Sequence, residues 1–402
     1  MSVDPRPAPL APGPPQFQSS LSRQRRSTGA PIAVLILLAV LASGVLFVTG
    51  IEDPIGLIVA VPLTALSMAV VLACYFWLDR WEPEPSRLLL LAFLWGASVA
   101  IVISLVLELL SSEVLGHGVV LTLIGPAIEE AAKGAFLLVM LTGARRREFD
   151  GVVDGLVYAG FVAVGFAFIE DIGYIAQSFN QGTEATVATV VLRLVMAPFA
   201  HPLFTSMIGL GVGLAVSRPH QPARWRYPLL GYLAAVALHA LWNSSLTFGF
   251  GGYLFVYVVI MIPAFAAALL IARRHRRRER DVVRRQLPEL VYYRLVTPAE
   301  AGWLDSIAAR RAWLKSVTAR SGKPAAQALR DFQAAATELA FLRDRVQRGV
   351  GPADAYQLHA ELVQALLTNR AKASQPLVEN AQSAPPIPPA RPASLAGREP
   401  GR

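Results

Sequence analysis

The chain has 402 residues, of which 54% are hydrophobic and only 16% are charged. Soluble domains carry about 25% charged residues, so the composition excludes a water-soluble globular enzyme and points to a polytopic membrane protein. The net charge of +9 gathers in short Arg clusters beside apolar runs, with no aromatic-interleaved basic segment, which excludes a nucleic-acid face and reads as topology signals.

In chain order, residues 1–30 are rich in Pro, Ser and Arg and predict a disordered cytoplasmic arm. Residues 31–50 follow as a first span. The long leading arm and the lack of a small-residue cleavage site read it as an uncleaved anchor rather than a signal peptide. Further apolar runs at 54–78, 87–110, 118–142, 152–175, 187–216, 228–248 and 252–272 bring the expected count to about eight transmembrane helices. The single cysteine, Cys74, lies in one of them, so neither an intrachain disulfide nor a cysteine zinc site is available. The joints after spans one, three, five and seven contain no Lys or Arg. The alternate joints carry Arg80 and Arg87, then Arg145–Arg147, then Arg218, Arg224 and Arg226, and the last span runs into Arg273-Arg274-His275-Arg276-Arg277-Arg278. Positive charge marks the cytoplasmic side, so both termini are expected inside. Residues 281–373 show helical apolar periodicity, through Leu304, Leu329, Phe332, Leu339, Leu342, Val346, Leu358, Leu362 and Leu366, and predict a small cytoplasmic helical region. Residues 374–402 are a Pro- and Ala-rich tail expected to be disordered. The fold class is all-α: a membrane domain over 31–273 and a small helical C-terminal region.

Within the spans the ionisable groups make a short set. Glu129, Glu130 and Lys133 lie in span four, Glu170 and Asp171 in span five, Arg193 and His201 in span six, and His239 with Asn243 in span seven. Each charge near the bilayer centre costs roughly 2.5–3.5 kcal/mol on insertion scales. Taken singly, each has a structural explanation: a salt bridge within span four, packing histidines, an interfacial acid pair. Their confinement to four consecutive helices favours function. Glu129 and Lys133, four apart, share a helix face, as do His239 and Asn243. Pro198 and Pro202 free the carbonyls of Leu194 and Pro198, so the span-six backbone is expected to break and face protein or a wet cavity. Two carboxylates and two imidazoles can activate water. His201, His239 and Glu170 have the donor chemistry of a zinc site with an open position, and His239 with Asn243 can donate to an oxyanion. Metal-activated and glutamate-activated water both remain open on these residues, as does a proton-coupled transporter using the same groups.

Glu129-Glu130-x-x-Lys133 resembles the EExxK motif of the PrsW family of intramembrane proteases, relatives of the CAAX-protease (Rce1-like) group. Asp154-Gly155 to Tyr158, then Gly165-Phe166 to Glu170 and Tyr174, is similar to the family's second motif. His201-Pro202-Leu203-Phe204-Thr205 and His239-Ala240-Leu241-Trp242-Asn243 resemble its third and fourth, and Trp81-Glu82-Pro83-Glu84-Pro85 its cytoplasmic loop. Asp171 departs from the Asn expected after the second-motif Glu. The resemblance spans roughly residues 54–248. It implies hydrolysis of a peptide bond in a membrane-anchored protein, an anti-sigma factor in stress signalling being one such substrate, in a bacterial-type plasma membrane. It also implies roles: Glu129 as base, Glu130 and Glu170 supporting it, His201 positioning water or a metal such as zinc, and His239 and Asn243 stabilising the oxyanion. Lys133 and Arg193 would support the carboxylates.

Overall fold

A computed structural model describes residues 31–143, 145, 148–352 and 354–382. The expected N-terminal arm lies outside the described residues, as do 383–402 of the tail. Every element among the described residues is helical. The helices are α1 (Ile32–Glu52), α2 (Pro54–Leu78), α3 (Ser86–Leu115), α4 (Gly125–Met140), α5 (Val152–Phe179), α6 (Thr183–Val190), α7 (Ala200–Val216), α8 (Arg226–Ser245), α9 (Gly249–Val256), α10 (Ile262–Tyr292), α11 (Pro298–Leu304), α12 (Ile307–Gln347) and α13 (Ala355–Gln382).

Six stretches are long and apolar enough to cross a membrane: α1, α2, α3, α5, Thr183–Val216 and Arg226–Tyr292. The difference from the expected eight has two sources. The run 118–142 is helical, as a π-helical turn Val120–Ile124 followed by α4, but Glu129, Glu130 and Lys133 lower its apolarity. Expected spans seven and eight fall within one helical run, which is bent at Gly249 (φ +69°). Trp242 before that bend packs on the Tyr253 ring after it, at 4.8 Å between centroids.

Helix α5 is the axis of the membrane bundle, buried along most of its length and packed by α2, α3 and α7. Its start is fixed by Asp154, whose carboxylate accepts the Asp150 and Gly151 N–H groups at 2.8 Å. Close approach is made by glycine: a Cβ on Gly155 would meet the Gly209 carbonyl at 2.2 Å, and one on Gly96 would meet the Val162 carbonyl at 1.9 Å. On α7, a Cβ on Gly209, Gly211 or Gly213 would likewise meet the carbonyl of Gly155, Tyr227 or Gly151, so these three glycines serve helix contact. By contrast α1 is exposed along most of its length, as suits a lipid-facing helix.

The expected break in span six is present. A π-helical turn Val191–Met196 ends at Ala197, and α7 begins afresh at Ala200. The carbonyls left over find partners on other helices. Leu194 O accepts from Ser67 Oγ at 2.9 Å, and Met196 O accepts from the Tyr257 hydroxyl at 2.9 Å.

Helix α10 carries the last apolar run onward without interruption to Tyr292, so Glu289 to Tyr292 are helical. It delivers Val283, Leu287 and Leu290 into a second core with Leu304, Leu329, Phe332, Leu339, Leu342, Leu362 and Leu366. Val346, placed in the apolar pattern, is exposed instead. Helix α13 runs to Gln382, into the stretch expected as tail. The loop 79–85 joins the two parts. Its Trp81 is buried in the C-terminal core, with the Arg310 guanidinium 4.8 Å from its ring, while its Glu84 accepts from the Tyr158 hydroxyl of α5 at 2.6 Å. An Asp150–Arg345 ion pair and a His220 Nε2 contact to Gly349 O at 2.8 Å close the same junction.

Candidate active site

Four helices and one π-turn converge on a buried polar group. The α4 sequence sets Glu129, Glu130 and Lys133 within one turn, and the Lys133 ammonium folds back on both acids, 2.9 Å from Glu129 Oε2 and 3.0 Å from Glu130 Oε1. Its third contact is His201 Nδ1 at 3.1 Å, and its Nζ lies 3.8 Å from the centre of the Phe166 ring. Three donors thus meet three acceptors, the condition for an ammonium to survive burial.

Glu130 is fully buried and also fully bonded. Oε1 faces His239 Nδ1 at 3.1 Å, and Oε2 accepts from Thr205 Oγ1 at 2.8 Å. His201 Nε2 lies 2.7 Å from Glu170 Oε2. Arg193, on the π-turn, holds two acids: its Nη2 donates to Glu170 Oε2 at 2.6 Å and its Nε to Asp171 Oδ1 at 2.5 Å, while its guanidinium stacks on Tyr174 at 3.8 Å. Asp171, the departure from the family pattern, therefore shares the arginine with Glu170.

These partners assign the tautomers. In neutral His201, Nε2 donates to Glu170 and Nδ1 accepts from the Lys133 ammonium. In neutral His239, Nδ1 donates to Glu130, leaving the Nε2 lone pair 3.9 Å from Glu129 Oε2. That gap is too long for a direct hydrogen bond and suits a bridging water. His239 is held by stacking on Phe204, with centroids 4.7 Å apart, and by an edge contact with His201.

The sequence-predicted residues divide accordingly. Glu129, Glu130, His201 and His239 come together, with one ligand atom from each within 4.8 Å of the others. Glu170, expected beside the two histidines as a ligand, stands behind His201, its carboxylate engaged by His201 and Arg193. Asn243 is not in the group: its amide donates to Leu121 O at 3.0 Å, a carbonyl of the π-turn before α4. Thr205 carried no assignment in the sequence; its position four residues after His201, on the same face of α7, was the available signal.

Two imidazoles and two carboxylates fit zinc in donor chemistry. Glu129, Glu130, His201 and His239 would hold it, sharing the space with the Lys133 ammonium, which already touches three of them. Zinc so held supplies Lewis-acid activation of water and of a peptide carbonyl.

Residues 84–268 match the family model described as PrsW family intramembrane metalloprotease. The matched region is PrsW-like. Among curated relatives, a Protease PrsW of Clostridioides difficile is 27% identical over half of this chain and 86% of its own length. One from Oceanobacillus iheyensis is 27% identical over 52% of this chain and 93% of its own, and one from Geobacillus kaustophilus is 30% identical over 36% and 62%. No solved structure matches. The PrsW match contains all the clustered polar residues and ends before α11, so helices α11 to α13 lie outside the matched region.

Proposed function

We propose that this protein is an intramembrane endopeptidase that cuts a peptide bond of a membrane-anchored protein with water held between Glu129 and His239. The observation that carries it is the 3.9 Å gap between Glu129 Oε2 and the free His239 Nε2. A water there donates one hydrogen to each, leaving an oxygen lone pair for the scissile carbonyl. Glu129 takes the proton as the peptide bond is attacked and returns it to the leaving amine. Glu130 fixes His239 in the required tautomer, Arg193 and Glu170 fix His201, and Lys133 offsets the two acids of α4. Asn243, with its amide already used, acts on the shape of the π-turn.

The chain crosses the membrane eight times in this reading, with both termini inside. Two observations support the count: the charges of α4 are internally paired, and Gly249 folds Arg226–Tyr292 back on itself. The Arg-bearing joints support the orientation.

The test uses purified full-length protein in liposomes with synthetic single-span polypeptides and mass spectrometry of the products. Two fragments whose masses add to the substrate plus one water are expected. Intact polypeptide together with proton flux across the vesicle would replace the peptidase by a transporter.

A further inference from the structure

Cleavage requires an unwound substrate. A peptide bond inside a helix is shielded, and once the segment is extended its N–H and C=O groups need partners that lipid cannot give. In the catalytic cluster Lys133, Glu130 and Arg193 are already engaged by neighbouring side chains. Helix α3 carries groups that are not.

Ser104 is 2% exposed, and its Oγ has no hydrogen-bond partner among the described residues. Three other serines of α3 behave differently: Ser98, Ser111 and Ser112 bond back to the carbonyls of Leu94, Leu107 and Glu108, four residues earlier. One turn beyond Ser104, on the same face, Glu108 Oε1 is also buried and unpartnered. A serine or a carboxylate buried without a partner is costly, so two in line call for a ligand.

That face looks onto α4. The Glu108 carboxyl carbon lies 3.4 Å from where a Cβ on Gly125 would stand, so a glycine makes room for it. Ile101 shares a packing cluster with Ala132. The 108/125 proximity, carried along two antiparallel helices, sets Ser104 at the level of Glu129, and the common cluster of Ile101 and Ala132 agrees with that register. Leu105, Val106 and Leu109 beside the strip are exposed, so it borders the lipid-facing surface. Four helical residues rise about 6 Å. Backbone groups on one edge of an extended chain repeat about every 6.6–6.8 Å. The spacings agree.

We infer that Ser104 and Glu108 form a substrate-strand subsite for an extended, backbone-unpaired segment of a membrane-anchored polypeptide, an inference that rests on the peptidase reading. Glu108 accepts a backbone N–H at the outer end, and Ser104 donates to a carbonyl two residues nearer the scissile bond. Both are positioning residues.

The experiment places Ser104→Cys, Glu108→Cys and Val106→Cys, singly, in a Cys74→Ala background of the full chain in liposomes. The probes are synthetic single-span peptides with one cysteine scanned through a helix-breaking juxtamembrane segment, and oxidative cross-links are read by mass spectrometry. Positions 104 and 108 should cross-link well above 106, to probe residues two apart. Equal yields at all three positions, or partners three to four apart as a helix would give, overturn the subsite. In kinetics on a cleaved probe, Glu108→Gln and Ser104→Ala should raise KM by about three- to tenfold with kcat near wild type. An unchanged KM also overturns it. Adding Glu129→Gln separates the two readings: cleavage stops and cross-links persist if both hold, whereas continued cleavage removes the peptidase mechanism and leaves the cross-links to stand or fall by themselves.

Discussion

Two groups of buried carboxylates sit at opposite ends of α5, and they are built by opposite rules. At one end, Glu129 and Glu130 share Lys133, while Glu170 and Asp171 share Arg193. At the other, around the loop 79–85, Asp79 and Glu84 make hydrogen bonds and no ion pair among the described residues. Asp79 accepts a backbone N–H from Glu84, and Glu84 accepts a phenol proton from Tyr158. Burial pushes Asp79 up to about 8, and pushes Glu84 well above the usual carboxylate range. Glu82 also rises to about 8 through burial, against the pull of Arg345. Counter-charged carboxylates in a dry bundle can take part in charge-moving chemistry. Carboxyls that keep their proton serve instead as hydrogen-bonding joints, here between the membrane bundle and the C-terminal bundle.

The comparison is broken most severely at Lys133. Lys133→Met leaves two buried acids without their cation, and losing one partner of a buried pair costs about 3–5 kcal/mol. A large fall in thermal unfolding temperature in detergent is expected. The same variant should bind zinc more tightly than wild type by calorimetry, because the ammonium contacts three of the four donors; equal affinity would show that metal and ammonium do not contend for one place. Trp81→Ala attacks the other end. Removing a buried Trp costs about 3 kcal/mol, so amide exchange over 283–366 should rise while reporter turnover holds. Arg193→Met frees Glu170 and with it His201; a misplaced group costs about a hundredfold in kcat, with KM and melting temperature moving less.

The smallest effect is a pH dependence. Folded Asp79 keeps a proton up to about pH 8, whereas the unfolded chain loses it near the ordinary value of 3.8. The stability it contributes is present in full below that lower value, declines as pH rises, and is gone above about 8. The slope for one such group is at most about 1.4 kcal/mol per pH unit. Asp79→Asn should flatten the fall in junction stability between pH 6 and 8, read by amide exchange, without changing the pH profile of cleavage; an unchanged slope would assign the effect elsewhere.

Much of this was legible in the sequence because membranes simplify the code. Charges inside apolar runs are few, so Glu129, Glu130, Lys133, His201 and His239 stand out in the sequence alone. The two prolines of span six announced the break that Ser67 and Tyr257 now repair. Periodicity says which face a residue occupies and nothing about which neighbour takes its hydrogen bonds. The sequence therefore offers Glu170 as a ligand and Asn243 as an oxyanion donor, while the structure shows Glu170 bonded to His201 and Arg193 and Asn243 bonded to Leu121. Trp81 lies in a polar loop, and its burial depends on a bundle more than 200 residues later in the chain.

The most direct measurement is single-turnover cleavage of a single-span reporter by purified Glu129→Gln, with melting temperature and helical content checked against wild type. Removing a general base should lower the rate by about 10²–10⁴-fold while the protein remains folded. Cleavage at the wild-type rate by a folded Glu129→Gln enzyme would contradict the proposed chemistry.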